Sequence, residues 1–271
     1  MEKKVIFITG ASSGIGKTTA LQLAASGHQV YGAARDVESM DDLKASGVEV
    51  VSLDVTDHEA IETSIQRVIE EAGRIDVLVN NAGYGLYGAV EDTTIDEARY
   101  QFEVNLFGLA RLTRCVLPQM RKQGSGRIIN ISSVGGKIYT LLGAWYHASK
   151  HALEGWSDCL RLELEPFGID VVLIEPGAIA TNFGEVMSGP MMRRSGEGPY
   201  AEQAAAMVAN VERFYTEEKS SPPEVVSNTI ARAIEARRPR TRYAIGKYAK
   251  PLLFCRKLLS DRLFDRLMRI F

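Results

Sequence analysis

Short apolar runs rich in β-branched residues alternate along this chain with amphipathic stretches of helical length, and this alternation narrows the possible folds more than any other feature. It predicts strands near residues 4–8, 29–34, 48–53, 76–80, 127–132, 170–175 and 242–245. The runs read Val-Ile-Phe-Ile, Val-Leu-Val, Ile-Ile-Asn-Ile and Val-Val-Leu-Ile, without polar residues at every second place. Strands of that composition are buried on both faces, so helices must cover the sheet on both sides. The predicted fold class is α/β: a three-layer, doubly wound parallel sheet of about seven strands. Right-handed crossovers then collect the loops that follow the strands along one edge, where ligands bind at the point of reversed strand order.

At 271 residues with 45% hydrophobic side chains, the chain has enough apolar material for one sizeable core. No Pro/Gly/Ser-rich linker or internal repeat divides it, so residues 1–271 are expected to form one domain. Residues 183–222 contain no predicted strand and read as a long insertion able to lid a substrate site, and residues 248–271 run past the last strand. The first apolar run is too short for a signal peptide or a membrane span, and a cytoplasmic protein is expected. Cys115, Cys159 and Cys255 lie far apart, and His28, His58, His147 and His151 form no ligand cluster, so neither a disulfide framework nor a metal site is indicated. A net charge of −2 argues against nucleic-acid partners. That total hides an asymmetry: residues 237–271 carry eleven Lys or Arg against two Asp, +9 in all, which leaves −11 for the remainder.

Residues 9–16 read Thr-Gly-Ala-Ser-Ser-Gly-Ile-Gly, between the first strand and a helix whose apolar positions begin at Ile15. Glycines at such a turn allow a tight bend, a close backbone approach to phosphate and packing of helix on sheet, while the helix N-terminus offers free N–H groups to a pyrophosphate. A competing reading takes residues 11–18 as a relaxed triphosphate loop, in which Lys17 and Thr18 would grip phosphates and magnesium. That fold needs an acidic residue at the end of another strand, and the run 76–80 ends in Asn80. In a dinucleotide site, an acidic residue after the second strand would bind the ribose hydroxyl of NAD. Ala34 and Arg35 stand there, and a guanidinium can accept the extra phosphate of NADP. NADP(H) is therefore the expected cofactor. NAD(H) stays open, because Asp36 follows and Arg35 can also be read as a solvated loop charge.

Residues 146–150 read Tyr-His-Ala-Ser-Lys inside a helical pattern from about 144 to 167. Four-residue spacing puts the Tyr146 phenol and the Lys150 ammonium on one helix face. A cation there favours phenolate over phenol, whose ordinary pKa is about 10, and makes a usable acid or base. Such pairs also occur as an aromatic at a core edge beside a solvated amine. The added weight comes from Ser133, thirteen residues earlier at the carboxyl end of a predicted strand, where a hydroxyl can donate to an oxygen gaining charge. His147 and His151 sit one helix step around from the pair and read as structural.

With these motifs in order, residues 3–182 resemble the short-chain dehydrogenase/reductase family, and the last strand fits as well. The cofactor turn is matched by Thr9, Gly10, Gly14, Ile15 and Gly16, the acidic residue after the third strand by Asp54, and the Asn-Asn-Ala-Gly motif by Asn80, Asn81, Ala82 and Gly83. The four catalytic positions fall on Asn105, Ser133, Tyr146 and Lys150, and the Pro-Gly with a downstream threonine on Pro176, Gly177 and Thr181. The resemblance implies a Rossmann-type fold and no metal. It implies a cofactor held by the turn, including Ser12 and Ser13, by Asp54 and Val55, by the Asn81–Gly83 stretch, by Tyr146 and Lys150, and by Pro176, Gly177, Ile179 and Thr181. In the reaction it implies, Tyr146 exchanges the proton, Ser133 holds the substrate oxygen, Lys150 holds the ribose and lowers the tyrosine pKa, and Asn105 keeps a water path open. A homodimer or homotetramer is the expected assembly.

Phe183, Met187, Met191, Met192, Tyr200, Phe214 and Tyr215, with Val134, Ile138, Tyr139, Leu141, Leu142 and Trp145, suggest an apolar pocket under a mobile lid, or ordinary helix packing. The stretch Asn81–Asp92 and the terminal segment resemble the branch of the family containing steroid and retinol dehydrogenases, which implies a bulky apolar alcohol or ketone. Residues 252–271 form a basic amphipathic stretch, with Leu252, Leu259, Leu263, Leu267 and Ile270 on one face. It reads as a packed cover over the substrate opening, an oligomer contact or a weak membrane-surface anchor. Against the enzyme stands a second hypothesis, a dinucleotide sensor that kept the fold and lost turnover.

Overall fold

The computed structural model describes residues 2–214 and 218–269. Strand β1 (Val5–Thr9) leads through the glycine turn into α1 (Gly14–Ala25), β2 (Gln29–Ala34) and the short α2 (Asp41–Ala45). Then come β3 (Glu49–Ser52), α3 (His58–Ala72), β4 (Val77–Asn80), α4 (Ile95–Phe102), α5 (Leu109–Gln123) and β5 (Gly126–Ile131). The long α6 (Ala144–Leu164) and β6 (Ile169–Pro176) precede α7 (Phe183–Ser195), α8 (Ala201–Phe214), α9 (Glu224–Glu235), β7 (Arg242–Ile245), α10 (Ala249–Leu258) and α11 (Asp261–Met268). All seven strands are parallel in one sheet ordered β3-β2-β1-β4-β5-β6-β7, so the order reverses between β1 and β4.

Successive strand residues divide between two cores, as the pleat requires. Ile6, Ile8, Val79, Ile129 and Val172 pack on one side with Ala20 and Leu23 of α1 and Val226, Ile230 and Ala233 of α9. Val5, Phe7, Leu78, Ile128 and Val171 pack on the other with Ile61 and Ile65 of α3, Leu112 and Val116 of α5 and Leu160 of α6. The helices have local stop and start signals. Asp57 caps α3, accepting from Ala60 N at 3.0 Å, and α3 ends on Gly73 at φ 72°. Thr94 and Glu97 form a capping box on α4. Between α4 and α5 lies a turn of π-helix, Glu103–Gly108, a form that concentrates at functional sites.

In the strandless region after β6, α7 and α8 bury Met187, Met191, Ala204 and Met207 in one cluster with Tyr87 and Tyr146. Met192 is exposed, Tyr215 lies outside the described residues, and so does the Phe214 side chain. The amphipathic tail is two helices and not one continuous face. Leu259 (ψ 142°) and Ser260 (ψ 158°) are extended before the next helix begins, which resets the helical phase. Phe264 and Met268 are therefore buried against Val134, Ile138 and Ala249, while Leu263, expected on the apolar face, is exposed. Ile270 lies outside the described residues. No helix among the described residues is long and apolar enough to cross a membrane.

Candidate active site

A cleft of about 890 Å³ opens at the β1/β4 reversal, and the loops after β1, β2, β3, β4, β5 and β6 line it. Its floor is the glycine turn. Gly10 has φ 66°, and a Cβ on Gly16 would lie 2.2 Å from Gly10 O, so only glycine lets α1 close onto the turn. Asn81 ties the end of β4 to this turn, donating to Thr9 O at 2.9 Å and Gly10 O at 3.1 Å. Thr9 Oγ1 accepts from Asn81 N and Ala82 N, both at 3.0 Å. Ser13 precedes α1 with no side-chain cap, and the first turn carries no acidic residue, so the helix N-terminus presents unmet N–H groups to an anion. That cradle fits a pyrophosphate.

The triphosphate alternative fails on side chains. Lys17 pairs with Asp42 of α2 at 2.9 Å, Thr18 Oγ1 donates to Gly14 O at 3.0 Å, and Asn80 at the end of β4 donates to Asn130 at 2.9 Å. At the rim, Arg35 is exposed and makes no hydrogen bond or ion pair among the described residues. Asp36 is turned into its own loop, accepting from Glu38 N at 3.1 Å and Ser39 N at 3.3 Å. The guanidinium is free for a ligand and the neighbouring carboxylate is occupied.

Of the residues expected to hold a cofactor, Gly10, Ser12, Ser13, Gly14, Ile15, Arg35, Asp54, Val55, Asn81, Ala82, Gly83, Tyr146, Lys150, Pro176, Gly177, Ile179 and Thr181 all line the cleft. Gly16 does not; it is buried behind the turn, where it acts by packing. Asp54 is engaged by Thr56, whose N and Oγ1 donate at 2.9 and 2.8 Å.

Ser133 and Tyr146 stand in the wall between this cleft and a smaller inner pocket of about 130 Å³, which Ile138, Met187, Met207, Leu252 and Met268 also line. Ser133 Oγ accepts from Gly135 N at 2.9 Å, which leaves its own proton to donate. The Tyr146 ring is held between Tyr87, His147 and Phe183, at centroid distances of 5.7, 5.3 and 5.6 Å. Lys150 is only 7% exposed and donates to Ile131 O at 2.8 Å, with two further N–H groups to give. Burial pulls its pKa down to about 8, against the nearby Glu154 carboxylate, which pushes it up. Asn105 lies behind the cleft wall, placed there by the π-turn. Its oxygen accepts from Tyr84 N at 3.1 Å and its nitrogen donates to Tyr84 O and Ser149 Oγ at 3.0 and 3.1 Å, so a relay through it would use the oxygen's second lone pair.

His147 is structural, its ring engaged by Gly135 O at 2.9 Å and Thr140 N at 3.0 Å, and burial lowers its pKa to about 4. Among the hydrophobic residues expected at the substrate, Phe183, Met187, Val134 and Ile138 reach the inner pocket, whereas Leu141 is exposed and Met191 packs behind.

One group escaped sequence reasoning. Glu154, one turn beyond Lys150, and Glu175, at the end of β6, are both buried and share Arg242, at 3.1 and 3.4 Å, while Lys137 reaches Glu154 at 3.0 Å. A glutamate closing an apolar strand run, and a third member of the 146-150-154 ladder, were the available signals. Burial, then the Glu154 charge, pushes Glu175 up to about 7. A carboxyl so raised contributes stability below its ordinary pKa and loses it as pH rises through about 7. Glu175→Gln keeps a donor toward Glu154 without the charge. It should add about 2 kcal/mol at pH 8, a rise in Tm of roughly 4–8 °C, and much less at pH 5. Equal shifts at both pH values in calorimetry would reject this account.

A model of the family described as short chain dehydrogenase matches residues 4–189. The chain is 36% identical to a 3-ketodihydrosphingosine reductase of Bacteroides thetaiotaomicron, over 100% of this chain and 98% of the other. Its fold superposes on a short-chain dehydrogenase from Streptomyces avermitilis with TM-score 0.83 and 40% identity, covering 99% and 96% of the two chains. A short chain dehydrogenase/reductase from Burkholderia phymatum in complex with NAD gives TM-score 0.80 at 27% identity, covering 99% and 95%. With a family model over residues 4–189 and relatives that align over nearly the whole chain, this chain belongs to the short chain dehydrogenases, a family of oxidoreductases that bind nicotinamide dinucleotides.

Proposed function

We propose that the protein is an NADP(H)-dependent oxidoreductase interconverting an apolar carbonyl compound and its primary or secondary alcohol, with Tyr146 as acid and base. The observation that carries this reading is the position of Ser133 and Tyr146 between a dinucleotide cleft and an apolar pocket, with Lys150 on the cleft side. The dinucleotide, when bound, supplies or accepts the hydride. The Ser133 hydroxyl donates to the carbonyl oxygen and Tyr146 delivers the proton that turns it into an alcohol; in the reverse direction Tyr146 removes that proton. Lys150 holds the ribose hydroxyls and favours the phenolate, and Asn105 holds the loop after β4 against α6. The inner pocket suits a slender apolar part of the substrate, and the bulk lies toward Phe183 and Val186 in the outer cleft, with α7 and α8 as a lid. A non-catalytic sensor would have no use for a proton donor there. Exposed Phe107 and Leu162 favour assembly into a homodimer or homotetramer.

The free Arg35 guanidinium favours NADP(H) over NAD(H). Fluorescence titration should show NADPH binding more tightly, and Arg35→Ala should weaken NADPH by about tenfold to a hundredfold while leaving NADH unchanged. Equal affinities in the parent would contradict the cofactor assignment. A turnover screen on ketones of increasing size with NADPH, and on the corresponding alcohols with NADP+, tests the reaction itself, and no turnover of any apolar ketone or alcohol would remove it.

A further inference from the structure

The outer side of the terminal helices α10 and α11 has no packing partner among the described residues. Both helices pack inward on one cluster, with Phe264 against Tyr139 at 5.4 Å, so each turns its other side to solvent. On α10, Lys250, Phe254, Lys257 and Leu258 recur at helical spacing and are exposed, Phe254 and Leu258 each by 63%. On α11, Arg262, Arg266 and Arg269 recur on an exposed side next to Leu263, itself 49% exposed.

The charges do not cancel locally. Asp261 is paired with Arg256 at 2.9 Å, and Asp265 accepts from the Tyr139 hydroxyl at 2.8 Å. Lys250, Lys257, Arg262, Arg266 and Arg269 have no ion pair among the described residues. The surface is therefore apolar and cationic at once. A two-fold contact with a second copy would set it against its own like charges. A polyanion would satisfy the cations and leave Phe254, Leu258 and Leu263 wet. An anionic lipid bilayer satisfies both, with basic side chains at the headgroups and apolar ones at the acyl boundary.

We propose that α10 and α11 dock the protein reversibly on anionic membrane surfaces. The inner sides of the same helices supply Leu252 and Met268 to the pocket beside Tyr146, so the helices that dock on one side roof the site on the other. The delivery of a lipid-dissolved substrate rests on the proposed apolar chemistry, whereas docking itself does not.

The test is co-sedimentation of the full chain with vesicles of phosphatidylcholine alone or with about one third phosphatidylglycerol, at low and high salt. Two variants accompany the parent, a triple Phe254→Ser, Leu258→Ser, Leu263→Ser and a double Lys257→Glu, Arg266→Glu. NADPH titration and turnover of a water-soluble ketone report that the variants are folded, independently of lipid. The parent should bind anionic vesicles, weaken with salt and ignore neutral ones, and each variant should lose about tenfold or more in partition. The proposal is overturned if the parent leaves anionic vesicles unbound, or if the triple variant binds as the parent does, which would mark generic polyanion attraction. It is equally overturned if light scattering shows the triple variant reduced to a smaller assembly with lipid binding intact, because the face would then be a subunit contact.

Discussion

Tyr146→Phe is expected to lower kcat by about 10³-fold, within the usual range for a positioned acid or base, while NADPH affinity changes by less than about threefold. The ring is buried between Tyr87, His147 and Phe183, and phenylalanine keeps those contacts, so the fold and the cleft walls should persist. What disappears is the hydroxyl that protonates the substrate oxygen. Ser133 still donates to that oxygen, and its Oγ is oriented by Gly135 N independently of the tyrosine, so some rate above the uncatalysed reaction should remain. Steady-state kinetics with a fluorescence titration and a melting curve separate the cases. A variant that turns over within about threefold of the parent would show that the proton travels by another route. A variant that no longer binds NADPH would instead show that the hydroxyl is a structural member of the cofactor site.

All seven strands lie within two residues of where apolar periodicity puts them, because a sheet buried on both faces needs uninterrupted apolar runs at every strand. The glycine turn was legible for a related reason: the close approach of Gly16 to Gly10 O excludes any side chain, so the sequence must spell it out. Gly16 also shows the limit, since a motif names which residues matter without saying which face the ligand and which only pack. The terminal helices were less legible. Apolar periodicity runs through residues 252–271 in one helical phase, but the extended backbone at Leu259 and Ser260 restarts it, so Phe264 is buried and Leu263 exposed. A two-residue break leaves almost no compositional trace. The Glu154 and Glu175 pair was illegible for another reason: the two residues lie 21 positions apart and meet only through the packing of α6 on β6, with Arg242 arriving from β7.

Lys150→Met should separate stability from function in opposite directions. In the parent the ammonium is buried and its pKa is held down to about 8, which means that folding takes a charge out of water. A base with a lowered folded pKa gives full stability only above its unfolded value, and loses it as pH falls through about 8. At pH 7 the parent therefore carries most of that cost, on the order of 3 kcal/mol. Methionine removes it, leaves Ile131 O without its donor at about 1 kcal/mol, and fills a similar volume. The expected net is a variant more stable than the parent by about 1–2 kcal/mol at pH 7, with the advantage fading toward pH 10. Function should move the other way: kcat should fall by roughly 10³-fold, because the phenol loses its cation, and NADPH affinity should fall about tenfold with the ribose contacts. Calorimetry across pH 7–10 beside kinetics on one preparation tests both halves. Stability lost at pH 7, or a gain that does not change with pH, would mean that the ammonium is solvated or neutralised, and with it would go the argument that a desolvated cation works on Tyr146.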